Sequence, residues 1–256
     1  GVIAQRLPAW GGVALMAFSL PRIAASIGVS KRMAVWFGLL NPIVVLHLLG
    51  GAHNDALMTG LGLLALAIAV SPRGRRASGF VIASAVLGLA IAVKPQVGML
   101  AVTVAGLPIR QQLADAAWWP RVRLLAVRTA ACTAIAVLAF LAVSFASGVG
   151  IGWLGLLGQL NLLVTISPTD VVAAIAGSTG GDAAAARAAA AIVFQSAALV
   201  TLVLLFLLRT ADPLAIAAWG SVAVALGAPG LHPWYVALPL ALIALLPLSL
   251  RTWFYA

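Results

Sequence analysis

The sequence has little charge, and least of all negative charge. Charged residues fill 8% of its 256 positions, with 5 Asp and Glu against 15 Lys and Arg. A soluble globular domain carries about 25% charged residues. Polar surface is too scarce to clothe a water-soluble body. With 64% hydrophobic residues and a mean hydropathy of +1.15, the bilayer is the expected solvent for most of the exterior. Cys132, the single cysteine, sits inside an apolar run. That excludes a disulfide framework and reads as a small core residue. Neither an internal repeat nor a second domain can be defended, so one transmembrane domain over residues 1–256 is expected. Nothing before the first apolar segment resembles the charged n-region or cleavage site of a signal peptide, and further sequence is expected upstream of Gly1.

What the chain does have is apolar runs. A spanning helix needs about 20 apolar residues, roughly 17 to 25. Candidate segments fall at 7–20, 33–50, 56–70, 79–93, 97–109, 124–144, 188–208, 213–228 and 234–250. The fold expected is therefore all-α, a polytopic membrane helix bundle of about nine spans. The third to fifth segments are short and crowd around Gly50-Gly51 and Lys94-Pro95. Helices that fall short of the bilayer can end in a protein-lined cavity. Residues 147–185 break the pattern. They read as an external loop with an interfacial or re-entrant helix at 153–166, stopped by Ser167-Pro168, and a flexible tip at 177–181.

A formal charge of +10 can signal nucleic-acid binding, but here the basic residues sit in short clusters between apolar runs. With Arg6 outside and the segments alternating, the inner loops hold Arg22, Lys31, Arg32, Arg73, Arg75, Arg76, Arg110, Arg121, Arg123, Arg128, Arg209 and Arg251. The outer side keeps Arg6, Lys94 and Arg187. Cytoplasmic loops are rich in Lys and Arg, so the N-terminus of this chain is expected outside and its C-terminus inside. Orientation accounts for the basicity without an anionic ligand; membrane lipids, with anionic headgroups among them, are the expected neighbours, and no nucleic-acid partner is implied.

The same map gathers the unusual polar residues at the outer helix ends, where ionisable groups at membrane depth are functional candidates. Asn41-Pro42, His47 and Gly50-Gly51 lead into His53-Asn54-Asp55. Pro42 should kink its helix, because it cannot donate to Gly38. Asn54 or Asp55 could be an N-cap, but one cap would do where three polar residues stand. An unpaired buried carboxylate is expensive, so Asp55 needs a cation, a metal or a sugar hydroxyl. Lys94-Pro95-Gln96 offers either a snorkelling lysine or, with Pro95 opening a helix, an anion site. His232-Pro-Trp234-Tyr235 offers either interfacial belt residues or an aromatic surface for a sugar. Trp153, Ser167-Pro168 and Asp170 make a weaker external set.

The string Leu40-Asn41-Pro42, His47, Gly50-Gly51-Ala52-His53-Asn54-Asp55-Ala56-Leu57 resembles the signature of polyprenol-phosphate-mannose-dependent mannosyltransferases of the actinobacterial cell envelope. Lys94-Pro95-Gln96 and His232-Pro-Trp-Tyr resemble motifs shared more widely by multispanning glycosyltransferases of the GT-C type. The resemblance implies transfer of mannose from a polyprenyl-phosphate donor to a mannan or lipoglycan acceptor outside the plasma membrane. It further implies that this chain is a C-terminal portion or a truncated form, because the family's first external loop supplies an acidic residue upstream of anything here. Asp55 becomes the candidate base or acceptor-orienting group, with His53 and Asn54 beside it. Lys94 becomes the candidate phosphate contact, with Gln96, His232, Trp234 and Tyr235 around the substrate. No cofactor is certain, and histidines with an aspartate leave room for a divalent metal. The rival reading is a multispanning transporter or flippase, which should show a two-sided pathway or repeats.

Overall fold

The computed structural model describes residues 2–152 and 166–247. All regular structure among them is helical. The helices are α1 (Val2–Ile27), α2 (Lys31–Gly38), α3 (Asp55–Val70), α4 (Ala77–Val93), α5 (Ala101–Gly106), α6 (Arg110–Asp115), α7 (Trp118–Ala146), α8 (Pro168–Ser178), α9 (Ala183–Leu208), α10 (Pro213–Gly227) and α11 (Ala237–Ile243). A π-helix covers Ile43–Gly50, and 3-10 turns cover Pro95–Leu100, Leu107–Ile109 and Pro233–Val236.

The all-α expectation holds among the described residues, but helix length and composition by themselves do not bear out the count of nine spans. Among the described residues, α1, α7 and α9 are long and apolar enough to cross a bilayer, with a fourth if α2 and the π-helix count as one broken span. Shorter apolar helices of 10–17 residues cover Asp55–Val70, Ala77–Val93, Pro213–Gly227 and Pro233–Ile243. At about 1.5 Å per residue 17 residues reach about 26 Å, the lower edge of what crosses a hydrocarbon core of about 30 Å. The expected helix at 153–166 lies outside the described residues apart from Ile166, as does the end of the ninth segment. Within the 147–185 region the described helices are α8 and the first residues of α9.

Pro42 breaks the second segment as its chemistry dictates. α2 and the π-helix meet at 57°. Asn41 repairs the gap: its Nδ2 donates to Phe37 O at 2.9 Å, and its Oδ1 accepts from Val44 N at 3.1 Å. One side chain thus satisfies a carbonyl and an amide that the broken ladder releases. The chain resumes in π form, a local winding often associated with functional sites.

Small residues set the helix approach. A Cβ on Gly12 would collide with the Ala56 backbone, and one on Gly60 with the Gly12 carbonyl. α1 and α3 therefore touch backbone to backbone, as small residues permit between membrane helices. Gly12 lies beside Ala56 and Gly60, while Ile27 and Val70 line a common cavity. The two helices are thus parallel. α3 and α5 are buried along most of their length, whereas the best apolar windows of α7 and α9 are only 17% and 0% buried. Short helices build the core, and long ones turn apolar faces outward. Cys132 is buried in this core, where Ser84 Oγ donates to its sulfur at 3.3 Å.

α3 separates two ends of the bundle, about 24 Å apart for its 16 residues. Asp55 opens it. At its other end Val70 lies with Ser26, Arg75 and Arg110 around one cavity. Trp118, beyond α6, donates to Leu207 O at 3.0 Å, which brings the end of α9 to the start of α7. The connections rich in arginine thus gather away from Asp55.

Candidate active site

Asp55 is fully buried at the first position of α3. Its carboxylate faces across the bundle rather than into its own helix. Lys94 Nζ donates to Oδ2 at 2.7 Å, and Gln96 Nε2 reaches Oδ1 at 3.5 Å. Asn54 holds the N-cap position but makes no side-chain cap bond. The helix-cap reading of this string therefore finds no support in the geometry. Lys94 does not snorkel away. It stands between α4 and the following 3-10 turn in extended conformation (φ −155°), because Pro95 cannot continue the α4 ladder. Its ammonium lies 4.6 Å from the Tyr235 ring centroid, a cation–π contact, and 23% of its side chain stays accessible.

The three histidines surround one indole. His53 stacks on Trp234 with centroids 3.7 Å apart and planes at 17°; His232 stacks on it at 4.5 Å and 6°. His47 tilts against it at 5.9 Å. Tyr235 stands edge-on to both His232 and Trp234. The indole is thus engaged by imidazoles, and the cluster offers imidazole edges where the sequence suggested an open aromatic ring. Burial holds the His53 pKa below its ordinary value; Asp55 opposes this, while Lys94, His47 and His232 reinforce it. A neutral His53 can donate or accept a hydrogen bond.

Backbone conformation aims His53. Ala52 has φ +54°, unusual for a residue with a Cβ. Gly51 precedes it because a Cβ there would come within 2.6 Å of His47 O and 2.9 Å of the His53 ring. Residue types alone gave a reason for Gly51 but no signal for Ala52. Behind the cluster, Gln96, Ser221 and Tyr235 border a cavity of about 30 Å³, room for about one water.

All eight candidate residues meet here except Asn54, which is exposed and makes no side-chain contact of note. The weaker external set does not join them as substrate-facing groups. Asp170 closes a capping box with Ser167 on α8 and ion-pairs with Arg187. The Ser167 hydroxyl donates to Pro229 O at 3.2 Å, tethering α8 to the loop that carries His232. Trp153 lies outside the described residues. Among the described residues no group of three or more His, Cys, Asp or Glu is placed to hold a metal ion.

Residues 1–111 match the family described as Alpha-(1->6)-mannopyranosyltransferase, N-terminal domain. Alpha-(1->6)-mannopyranosyltransferase A of Mycobacterium tuberculosis is 30% identical over 253 residues, covering 95% of this chain and 48% of that protein. The chain belongs to the alpha-(1->6)-mannopyranosyltransferase family. Alpha-(1->6)-mannopyranosyltransferase B of Corynebacterium glutamicum is 25% identical over 188 residues, 70% of this chain and 31% of that protein. The chain thus spans about half the length of the first of these relatives and less of the other. No solved structure matches it. The family stretch at 1–111 carries Asp55, His53, Lys94 and Gln96, so most of the cluster lies within the matched residues.

Proposed function

We propose that this chain forms part of a membrane mannosyltransferase that moves mannose from a polyprenyl-phosphate donor to a mannan or lipoglycan acceptor. The family names support mannosyl transfer. The excess of basic residues at the end away from Asp55 supports an outward-facing cluster in a plasma-membrane protein. In this reading the nine apolar segments form a single GT-C-like transmembrane domain, in which the short helices are shielded by the long ones.

One observation carries the assignment of roles: a partly accessible ammonium is held in place by a fully buried carboxylate. The reaction is a displacement in which an acceptor oxygen bonds to the mannosyl carbon and the bond from that carbon to the lipid phosphate breaks. The electron pair leaves on phosphate. A fixed cation stabilises that developing charge most when it is already in position. Lys94 has three N–H donors; Asp55 takes one, and the others are free to meet phosphate oxygens. Asp55, with no accessible surface, is assigned to positioning Lys94 rather than to accepting the acceptor's proton. The proton goes to an acidic group on the part of the family's length outside this chain, as the resemblance implies. His53, His232 and Gln96 supply hydrogen bonds to sugar hydroxyls, while Trp234 and Tyr235 hold those groups and Lys94 in register.

Transfer of labelled mannose from polyprenyl phosphate to a mannan acceptor, in membranes with matched amounts of full-length protein, tests this. Lys94→Gln should lower transfer by about a hundredfold, the lower range of losses on removing a charge-stabilising donor. Normal transfer by that variant refutes the assignment.

A further inference from the structure

The bundle end away from Asp55 has a cavity of its own. It measures about 150 Å³ and is lined by Ser26, Val70, Arg75, Pro108, Arg110 and Gln111, among others. Two guanidinium groups from separate connections therefore border one polar chamber, and no acidic side chain lines it. The ion pairs among the described residues lie elsewhere, at Lys94–Asp55 and Arg187–Asp170. Arg75 makes no hydrogen bond or ion pair with the described residues. Arg110 donates to Ile27 O at 3.3 Å, which caps the C-terminus of α1. That uses one of its five N–H donors.

A second cavity of about 240 Å³ adjoins the first and shares Ile27, Leu107 and Arg110 with it. Its other walls are mostly apolar, including Val29, Leu214 and Leu245. The one acid there, Asp212, accepts the Ala215 amide at 3.2 Å as the cap of α10. Two cations at the mouth and an apolar chamber beside them suit an amphiphile. The depth agrees: Trp118 and Trp119 at the start of α7 are 53% and 64% exposed, as befits indoles at the headgroup level.

We propose that Arg75 and Arg110 form a binding site for the phosphate of an anionic phospholipid, whose acyl chain enters the adjoining apolar cavity. Planar guanidinium forks match phosphate oxygens in pairs. At about 150 Å³ the chamber holds several times the roughly 30 Å³ share of one water, enough for a phosphate group. The site is separate from the Lys94 contact, with the length of α3 between them. It goes beyond the proposed transfer reaction and does not depend on it.

Lipid retention by the purified full-length protein tests the site. Detergent-solubilised protein is incubated with an equimolar mixture of phosphatidylglycerol and phosphatidylcholine, and bound lipid is counted by native mass spectrometry. Phosphatidylglycerol should be retained preferentially. Arg75→Gln with Arg110→Gln should lower that retention about tenfold, the loss expected from one or more hydrogen bonds to a charged group. Arg32→Gln, which removes a cation at the same end but outside both cavities, should leave it unchanged. Unchanged melting and elution of the double variant separate lost binding from lost folding; if that variant fails to fold, the single Arg75→Gln variant, whose side chain supports no described bond, carries the comparison. Equal loss with Arg32→Gln would reduce the effect to diffuse attraction and overturn the site. Displacement of the lipid by equimolar inorganic phosphate would overturn the amphiphile assignment.

Discussion

If Asp55 works through Lys94, then its loss should matter only while Lys94 is present. The perturbation is a cycle: Asp55→Asn, Lys94→Met and the pair together, in the full-length protein. Breaking a fully buried ion pair costs about 3–5 kcal/mol. This pair is closed at 2.7 Å, but Lys94 keeps 23% of its side chain accessible. Water can therefore compensate part of the loss, and the cost falls toward that of a hydrogen bond to a charged group, about 1.5–3 kcal/mol. Expressed in the transition state, that is roughly 10- to 100-fold in transfer rate. Asn preserves the shape at the start of α3, and Gln96 remains close enough to bond its carbonyl. In a Lys94→Met background, Asp55→Asn should cost less than about threefold, a coupling of the size seen for contacting residues. A general base would behave differently, since its removal costs about 100-fold or more with or without Lys94. The assay is labelled-mannose transfer in membranes with matched protein. Additive losses would refute the positioning role and return Asp55 to the base.

Trp234→Ala should destabilise the fold by about 3 kcal/mol, near the low end for an aromatic truncation because the indole is only half-buried; thermal unfolding in detergent measures it, and a shift equivalent to under about 0.5 kcal/mol, the scale of an ordinary surface substitution, would show that the imidazole stack holds nothing together. Gly12→Leu should prevent α1 from docking on α3, since even a Cβ there meets the Ala56 backbone; the readout is loss of the monodisperse elution peak, and an unaffected peak contradicts the backbone contact. His53 gives a pH dependence of known sign. Its folded pKa lies below the ordinary 6.5, so the unfolded state binds more protons between the two values. Stability should therefore be full above pH 6.5 and fall as pH drops through 6.5 toward the folded value; His53→Gln should flatten melting temperature over that interval, and an unchanged slope would remove His53 as the cause.

Composition was enough to read the helices and the solvent. Charged residues at 8% and apolar runs repeated along the chain leave helices as the structure able to satisfy backbone polar groups in lipid. The break at Pro42 was legible too, because a missing N–H acts on the same helix that contains it. So was the gathering of arginine away from Asp55, since alternating apolar segments carry that information along one dimension. What composition could not show was helix length: α3, α4 and α10 are apolar but have 16, 17 and 15 residues, and only the packed bundle sets the longer α1, α7 and α9 against them. The partner of Asp55 was likewise a tertiary matter. A buried carboxylate demands a cation by electrostatics alone, but Lys94 is 39 positions away, and only the hairpin of α3 with α4 and the stop at Pro95 bring its ammonium to the start of α3. Trp234 was read as a belt or sugar-binding ring because an aromatic side chain has the same local signature in either role. Stacking by His53 and His232 depends on where the Gly51-Ala52 turn and the tethered loop after Pro229 happen to meet, and contacts between such distant segments leave no period in the sequence.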